Sequence, residues 1–203
     1  MSGALELPRL YDPPLLLRAF APTDAGLVVE ASSDPLIPLI TTVPSTADPA
    51  SVRAYLDRQH QRAVTGQGYS FAIADARTDQ GLGQIGLWPL PNGRASIGYW
   101  VAASARRRGV ARDALQTVSA WGLSLPHVHR LELYVEPCNE GSWRAAEAAG
   151  YIREGLLRGW QDVGDQRRDM FMYSRLRNDP GLLPAPTGGG SRAEPVSRSA
   201  ASR

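Results

Sequence analysis

The apolar pattern switches from strand to helix and back between residues 95 and 135, and that switch limits the fold more than any other feature. From Ala95 to Val101 the run Ala-Ser-Ile-Gly-Tyr-Trp-Val reads as a strand. After a short turn, Val110, Ala111, Ala114, Leu115, Val118 and Trp121 recur at three and four residues, which marks one face of a helix. Arg130 to Val135 (Arg-Leu-Glu-Leu-Tyr-Val) is a strand again. This is a strand–helix–strand unit, and parallel strands need a crossover of that kind.

The segments around the unit read as a meander and two flanks. Leu15 to Arg18 is a short strand, and Thr23 or Asp24 caps a helix running to about Ser32. Pro35, Pro38 and Pro44 make the next stretch irregular. Asp48-Pro49 is an N-cap followed by a first-turn proline, opening a helix with Val52, Tyr55, Leu56 and Gln59 on one face. Tyr69 to Ala74 and Gly83 to Trp88 are strands, the second stopped by Pro89 and Pro91. Asn92-Gly93 is a tight turn into the strand at 95. Asn139 to Ala149 is a helix ended by Gly150. Tyr151 to Leu157 and Asp169 to Leu176 are the last strands, joined by a loop around Gly164.

The expected fold is therefore α/β (α+β). It has a mixed, mostly antiparallel sheet of about six to seven strands, with helices on both faces. Residues 1–13 are expected as a flexible lead-in, 14–177 as the domain and 178–203 as a disordered tail. In the tail, Asp179-Pro180-Gly181 and Gly188 to Gly190 leave few large apolar side chains.

Composition removes several functional classes. The 203 residues carry 22 basic side chains, every one arginine, against 20 acidic ones. The net charge of +2 argues against a nucleic-acid partner. The single Cys138 excludes an internal disulfide and a cysteine-only metal cluster. No apolar run approaches the ~20 residues of a membrane helix, and the start lacks a secretory h-region. A cytoplasmic protein without a metal or a membrane contact is the expectation.

The turn between the strand and the helix is built for an anion. It reads Ala102-Ala103-Ser104-Ala105-Arg106-Arg107-Arg108-Gly109-Val110-Ala111. The first amides of a helix have no internal acceptor, and the helix dipole adds positive charge there. Gly109 and the small Ala111 let a diphosphate approach the backbone. Three adjacent arginines at a helix N-terminus repel one another and oppose the dipole unless an anion arrives. A solvated basic turn would show the same triplet.

The spacing Arg106-x-x-Gly109-x-Ala111, after Gly-Tyr-Trp-Val, resembles the acetyl-CoA signature of the GNAT N-acetyltransferases. The second half keeps the same order. Arg130-Leu131-Glu132-Leu133 leads through Glu136-Pro137 to Asn139 and Ser142, then Ala149-Gly150-Tyr151, Arg153-Glu154-Gly155 and Arg168-Asp169. This resembles the bacterial RimJ/RimL branch, over roughly residues 14 to 177. The resemblance implies transfer of acetyl from acetyl-CoA to a primary amine, a protein N-terminal α-amine or a small-molecule amine, without a covalent enzyme intermediate. It implies a pyrophosphate on Arg106, Arg107, Arg108, Gly109, Val110 and Ala111. It implies a pantetheine along Tyr99, Trp100 and Val101, opened by a second strand splaying away. Asn139 would bond the pantetheine arm and Ser142 would lie at the thiol. Homodimers are common among such proteins.

Two positions depart from that pattern. The tyrosine often found seven residues after the asparagine is Ala146, so Ser142 is the candidate proton donor. The glutamate often found before Ile97 is Ser96, leaving Glu136, Asp169 or a chain of ordered waters as the candidate base. Both departures would also suit a non-catalytic acyl-CoA sensor. Trp88, Trp160 and Asp169 are candidates for acceptor binding. Cys138 reads as a filler, and His127 with His129 lacks a third metal ligand.

Overall fold

In the computed structural model, which describes residues 5–182 and 184–186, eight strands form one sheet. A hairpin of β1 (Leu10–Asp12) and β2 (Leu15–Arg18) leads into α1 (Ala25–Ser32), α2 (Ile37–Ile40) and α3 (Pro49–Val64). The meander follows as β3 (Tyr69–Asp75), β4 (Gly81–Leu90) and β5 (Arg94–Val101). Then come α4 (Val110–Ser124), β6 (Arg130–Val135), α5 (Glu140–Ala148), β7 (Ile152–Val163) and β8 (Gln166–Leu176). The sheet order is β1-β2-β3-β4-β5-β6-β8-β7, and among the described residues only β5 and β6 run parallel.

Alternation along the strands divides the core in two. Phe71, Ile73, Ile85 and Ile97 face α4, packing with Val110, Ala114, Leu115 and Val118. Ala72 and Trp100 face the other way and pack with Val28 of α1 and Val52 and Tyr55 of α3. Helices cover both faces, as the sequence predicts.

The eighth strand comes from the lead-in. Leu10–Asp12 pairs with β2 and Leu10 is fully buried, so the expected flexible segment contributes an edge strand. Three residues between prolines give too short a pattern to read. Of the expected tail, residues 178–182 and 184–186 are described and lie outside helix and strand, although Leu182 packs against the core. Residues 187–203 lie outside the described residues.

Two further elements exceed their expected length. β4 runs through Pro89, which sits beyond the last β3–β4 pair at Leu87, where a missing N–H costs no ladder bond. β7 and β8 form a hairpin reaching Val163 and Gln166, closed by a two-residue turn with Gly164 at φ 61°. Register shifts at Arg153–Gly155 and Leu157–Gln161 break its alternation.

Buried charges hold two junctions. Arg18 donates to both carboxylate oxygens of Asp24 (2.7 and 3.0 Å) and, through Nε, to Asp79 (2.7 Å). Ala19 and Asp79 carbonyls accept its remaining N–H groups, so all five donors are used. Asp24 therefore anchors the strand-to-helix corner rather than capping α1. Glu132, with a side chain only 1% exposed, accepts from Arg130 (2.9 Å), Arg94 (3.2 Å) and the Tyr134 hydroxyl (2.8 Å). Burial works to raise its carboxyl, but Tyr134, Arg130 and Arg94 outweigh it and leave it below the ordinary value.

Glu132→Ala is expected to cost about 1–3 kcal/mol in urea unfolding, because it removes the carboxylate partner of Arg94 and of the Tyr134 hydroxyl and leaves Arg130 with Glu154 alone. A loss under about 1 kcal/mol would contradict this account. Arg130 and Ser174 hold the Glu154 carboxyl down to about 2, from an ordinary 4.5. A lowered carboxyl contributes stability above its unfolded value and loses it as pH falls toward the folded one. Glu154→Gln should therefore flatten the stability profile between about pH 4.5 and 2, read by thermal melts across that range.

Candidate active site

The parallel pairing of β5 with β6 lasts three rungs: Arg94–Arg130, Ala95–Leu131 and Ser96–Glu132. Beyond it Ile97–Val101 and Leu133–Val135 have no ladder between them, so each strand offers a free edge into a wedge. Two cavities open there. One, of about 690 Å³, lies toward the start of α4 and is lined by Val101, Arg106, Arg107, Gly109, Val110 and Ala111 among others. The other, of about 320 Å³, lies over Trp88, Ser96, Tyr134, Glu136 and Gln161. Ile40, Tyr99, Trp100, Asn139 and Ser142 line both.

The larger cavity ends on the anion turn. Gly109 is the N-cap of α4 at φ 80°, a left-handed conformation that suits glycine. The amides of Val110, Ala111 and Arg112 begin the helix and have no intrahelical acceptor. The turn is tied to α1 and to the segment after it. Glu30 accepts from the Ser104 amide (2.8 Å) and hydroxyl (3.0 Å). Asp34 accepts from Arg106 Nη2 at 2.6 Å, while Arg106 Nε donates to the Val101 carbonyl (3.1 Å). Burial raises the Asp34 carboxyl, but the Leu36 and Ile37 amides and Arg106 prevail, leaving it lowered.

This divides the arginine triplet. Arg106 lines the cavity with its guanidinium already engaged by Asp34. Arg107 lines it without an ion-pair partner among the described residues. Arg108 is exposed and lines neither cavity, because the left-handed Arg107 (φ 58°) and Gly109 reverse the chain around it.

The shared wall is a hydrogen-bonded unit. Asn139 caps α5, its Oδ1 accepting from the Ser142 amide at 3.2 Å. The Tyr99 hydroxyl lies 2.8 Å from Ser142 Oγ and donates to the Ser142 carbonyl at 3.1 Å. Tyr99 thus spans the wedge from β5 to α5. Burial pushes its phenol up to about 12, moderated by the Ser142 bond.

The smaller cavity has a rigid polar floor. Gln84 Nε2 donates to Ser70 Oγ (3.2 Å), Ser70 donates to Gln59 Oε1 (2.9 Å), and Gln59 Nε2 donates to the Tyr55 carbonyl (3.1 Å). Trp88 lies flat over glycines: a Cβ on Gly86 or Gly68 would come within 2.3 or 2.5 Å of its ring. The Arg62 guanidinium sits 4.5 Å from the Trp88 ring. Glu136 is at the opposite wall, its side chain 10% exposed, with Arg168 at 3.8 Å.

Two expected acceptor residues fall outside the linings. Trp160 is 46% exposed and stacks on Tyr134 (5.4 Å), so Tyr134 and Gln161 face the cavity in its place. Asp169 is exposed and accepts from the Gly159 amide at 2.6 Å, pinning the hairpin bulge. Glu136 therefore remains as the candidate base at the cavity. Asp34, Arg62, Gln59 and Gln84 were not legible as site residues, because no local motif marks them.

Residues 14–152 match the family model described as acetyltransferase (GNAT) domain. The chain belongs to the GNAT acetyltransferase family. Over 172 residues it is 28% identical to the uncharacterized N-acetyltransferase p20 of Bacillus licheniformis, covering 84% of this chain and 97% of that one. It is 28% identical over 120 residues to the ribosomal-protein-serine acetyltransferase of Escherichia coli, covering 58% of this chain and 64% of the relative. RimJ of Mycobacterium smegmatis, solved with CoA-disulfide, superposes with a TM-score of 0.69 at 23% identity, covering 83% of this chain and 86% of that one. These relatives support the RimJ/RimL-like resemblance and place the protein among acyltransferases. Among the described residues no helix is long and apolar enough to cross a membrane.

Gly86→Ala is expected to displace the Trp88 ring and cost about 1–3 kcal/mol by overpacking, measured by chemical denaturation. An unchanged midpoint would show that the ring has room to move.

Proposed function

We propose that this acyltransferase carries acetyl from acetyl-CoA to a primary amine by direct attack, in the cytoplasm. The observation that carries the reading is the pair of cavities meeting at Tyr99, Asn139 and Ser142 inside the wedge. The larger one suits the co-substrate. Its far end offers helix-start amides and Arg107 to a diphosphate. Its near end offers the free edge of Tyr99 to Val101 to the amides of a pantetheine, as an added strand would. A sensor has no need of the second cavity on the other side of Tyr99, which favours transfer over reporting.

The chain's own groups then divide the work. Glu136 accepts the proton that the attacking amine loses. A backbone amide at Val101 or beside it stabilises the charge developing on the carbonyl oxygen. As the C–N bond forms and the C–S bond breaks, Ser142 donates its proton to the departing sulfur, Tyr99 passes one to Ser142, and the proton held by Glu136 returns to Tyr99 through solvent. The raised Tyr99 phenol stays protonated at neutral pH, as a donor must. Orientation of two substrates in one wedge supplies much of the remaining acceleration.

Ser142→Ala should lower kcat by about tenfold to a thousandfold while acetyl-CoA affinity stays within about threefold, measured by thiol release and calorimetry. Equal rates would remove Ser142 from the mechanism. Arg107→Ala should weaken acetyl-CoA binding by about 1–2 kcal/mol and Arg108→Ala by less than about 0.5. The reverse order would move the diphosphate off the cavity side of the turn.

A further inference from the structure

The 320 Å³ cavity carries two charges of opposite sign, and each is incompletely paired. Arg62 is half-buried, donates to Thr42 Oγ1 at 3.0 Å and lies over Trp88, but has no carboxylate partner among the described residues. Among the described residues Glu136 has two loose side-chain contacts, Arg168 Nε and the Cys138 thiol, each at 3.8 Å from Oε2. Strand register sets them apart. Trp88 pairs with Ser96, and Ser96 pairs with Glu132, so these three share one row across the sheet. Glu136 follows Glu132 by four residues, about 13 Å farther along if the chain stays extended. One charge therefore lies over the Trp88 ring, and the other lies at the wall shared with Asn139 and Ser142.

We propose that the acceptor is a small amine that also carries a carboxylate, held through that carboxylate by Arg62 and presented by its amine to Glu136. This rests on the transferase reading above and adds the class of acceptor. A half-buried guanidinium without a counter-ion is held at a cost, and burial already lowers its hold on its proton. A carboxylate matches its planar fork and offsets that cost, and one negative charge balances one guanidinium. A polyamine would bring a second cation against Arg62. A protein N-terminus would bring neutral peptide groups to it. The cavity is also small, at the low end of the range of about 300–1,000 Å³ typical of small-molecule sites. The Trp88 ring, seated on Gly68 and Gly86, fixes the face on which Arg62 rests.

The test is thiol release from acetyl-CoA over matched amines. A set of ω-amino acids of increasing chain length, starting from the α-amino acids, is run beside their carboxamides and the corresponding decarboxylated amines. In the native protein each acid should exceed its two neutral-ended partners in kcat/KM by at least about tenfold, chiefly through KM. Arg62→Gln, and Arg62→Met as a variant that keeps the packing on Trp88, should abolish that ratio. Carboxamides or decarboxylated amines used as well as the acids would overturn the proposal, as would an acid-to-amide ratio that survives in either variant. The comparison within the native protein stands even if both variants fail to fold. If acetyl-CoA binds and no amine is acetylated, the transferase reading fails. Calorimetry of the same acids on the CoA-loaded protein then decides the acceptor class: binding that is lost in the carboxamides upholds it, and no binding overturns it.

Discussion

The wedge between β5 and β6 depends on where their pairing stops. The last rung joins Ser96 to Glu132, and at that rung a buried carboxylate gathers Arg94, Arg130 and Tyr134. A buried charge tolerates little displacement, because its partners must stay within hydrogen-bonding reach. Up to this row the strands are fixed in register; beyond it they share no ladder. Main-chain groups of Ile97 to Val101 that would have paired with a neighbouring strand are left facing a cavity, apart from the Val101 carbonyl, which Arg106 engages. An open edge inside a sheet is costly unless something pairs with it, and a peptide-like arm of a co-substrate can do so.

The rest of the site hangs on this opening. Alternation sends Trp100 into the core under α1 and α3, and Tyr99 toward α5 on the opposite face. Tyr99 crosses the gap and meets Ser142, which Asn139 orients by capping its helix. The opening is thus bridged at one point by a hydroxyl pair, and the space on either side becomes two cavities. The anion turn is held separately: Glu30 and Asp34 grip it from the α1–α2 segment, far away in sequence. Arg106 is engaged in that grip, whereas Arg107 lines the cavity without an ion-pair partner among the described residues.

Elements whose signals are local were readable. Asp48-Pro49 opens α3 with its carboxylate on the Ala50 and Ser51 amides, and Arg130–Val135 is β6 to the residue. Asn92-Gly93 forms its turn with both residues at positive φ. What escaped had non-local causes. β1 exists because β2 offers it an edge, and β4 continues through Pro89 because β3 has ended. β7 and β8 run long because Asp169 and Arg167 fasten a bulge at Gly159. That bulge also turns Trp160 onto Tyr134 and brings Gln161 to the cavity, a choice that a polar loop sequence does not encode.

The sequence by itself determined the strand–helix–strand unit, the glycine-bearing helix start that suits a diphosphate, and the order of motifs that marks the GNAT family. Each is a pattern of neighbours along the chain, governed by periodicity, capping and backbone freedom. Only the tertiary structure decided which arginine is free, which carboxylate faces a cavity and that Tyr99 stands beside Ser142. Those are questions of charge pairing and burial between distant segments. The choice between Arg106 and Arg107 turns on a carboxylate 72 positions away from the first of them.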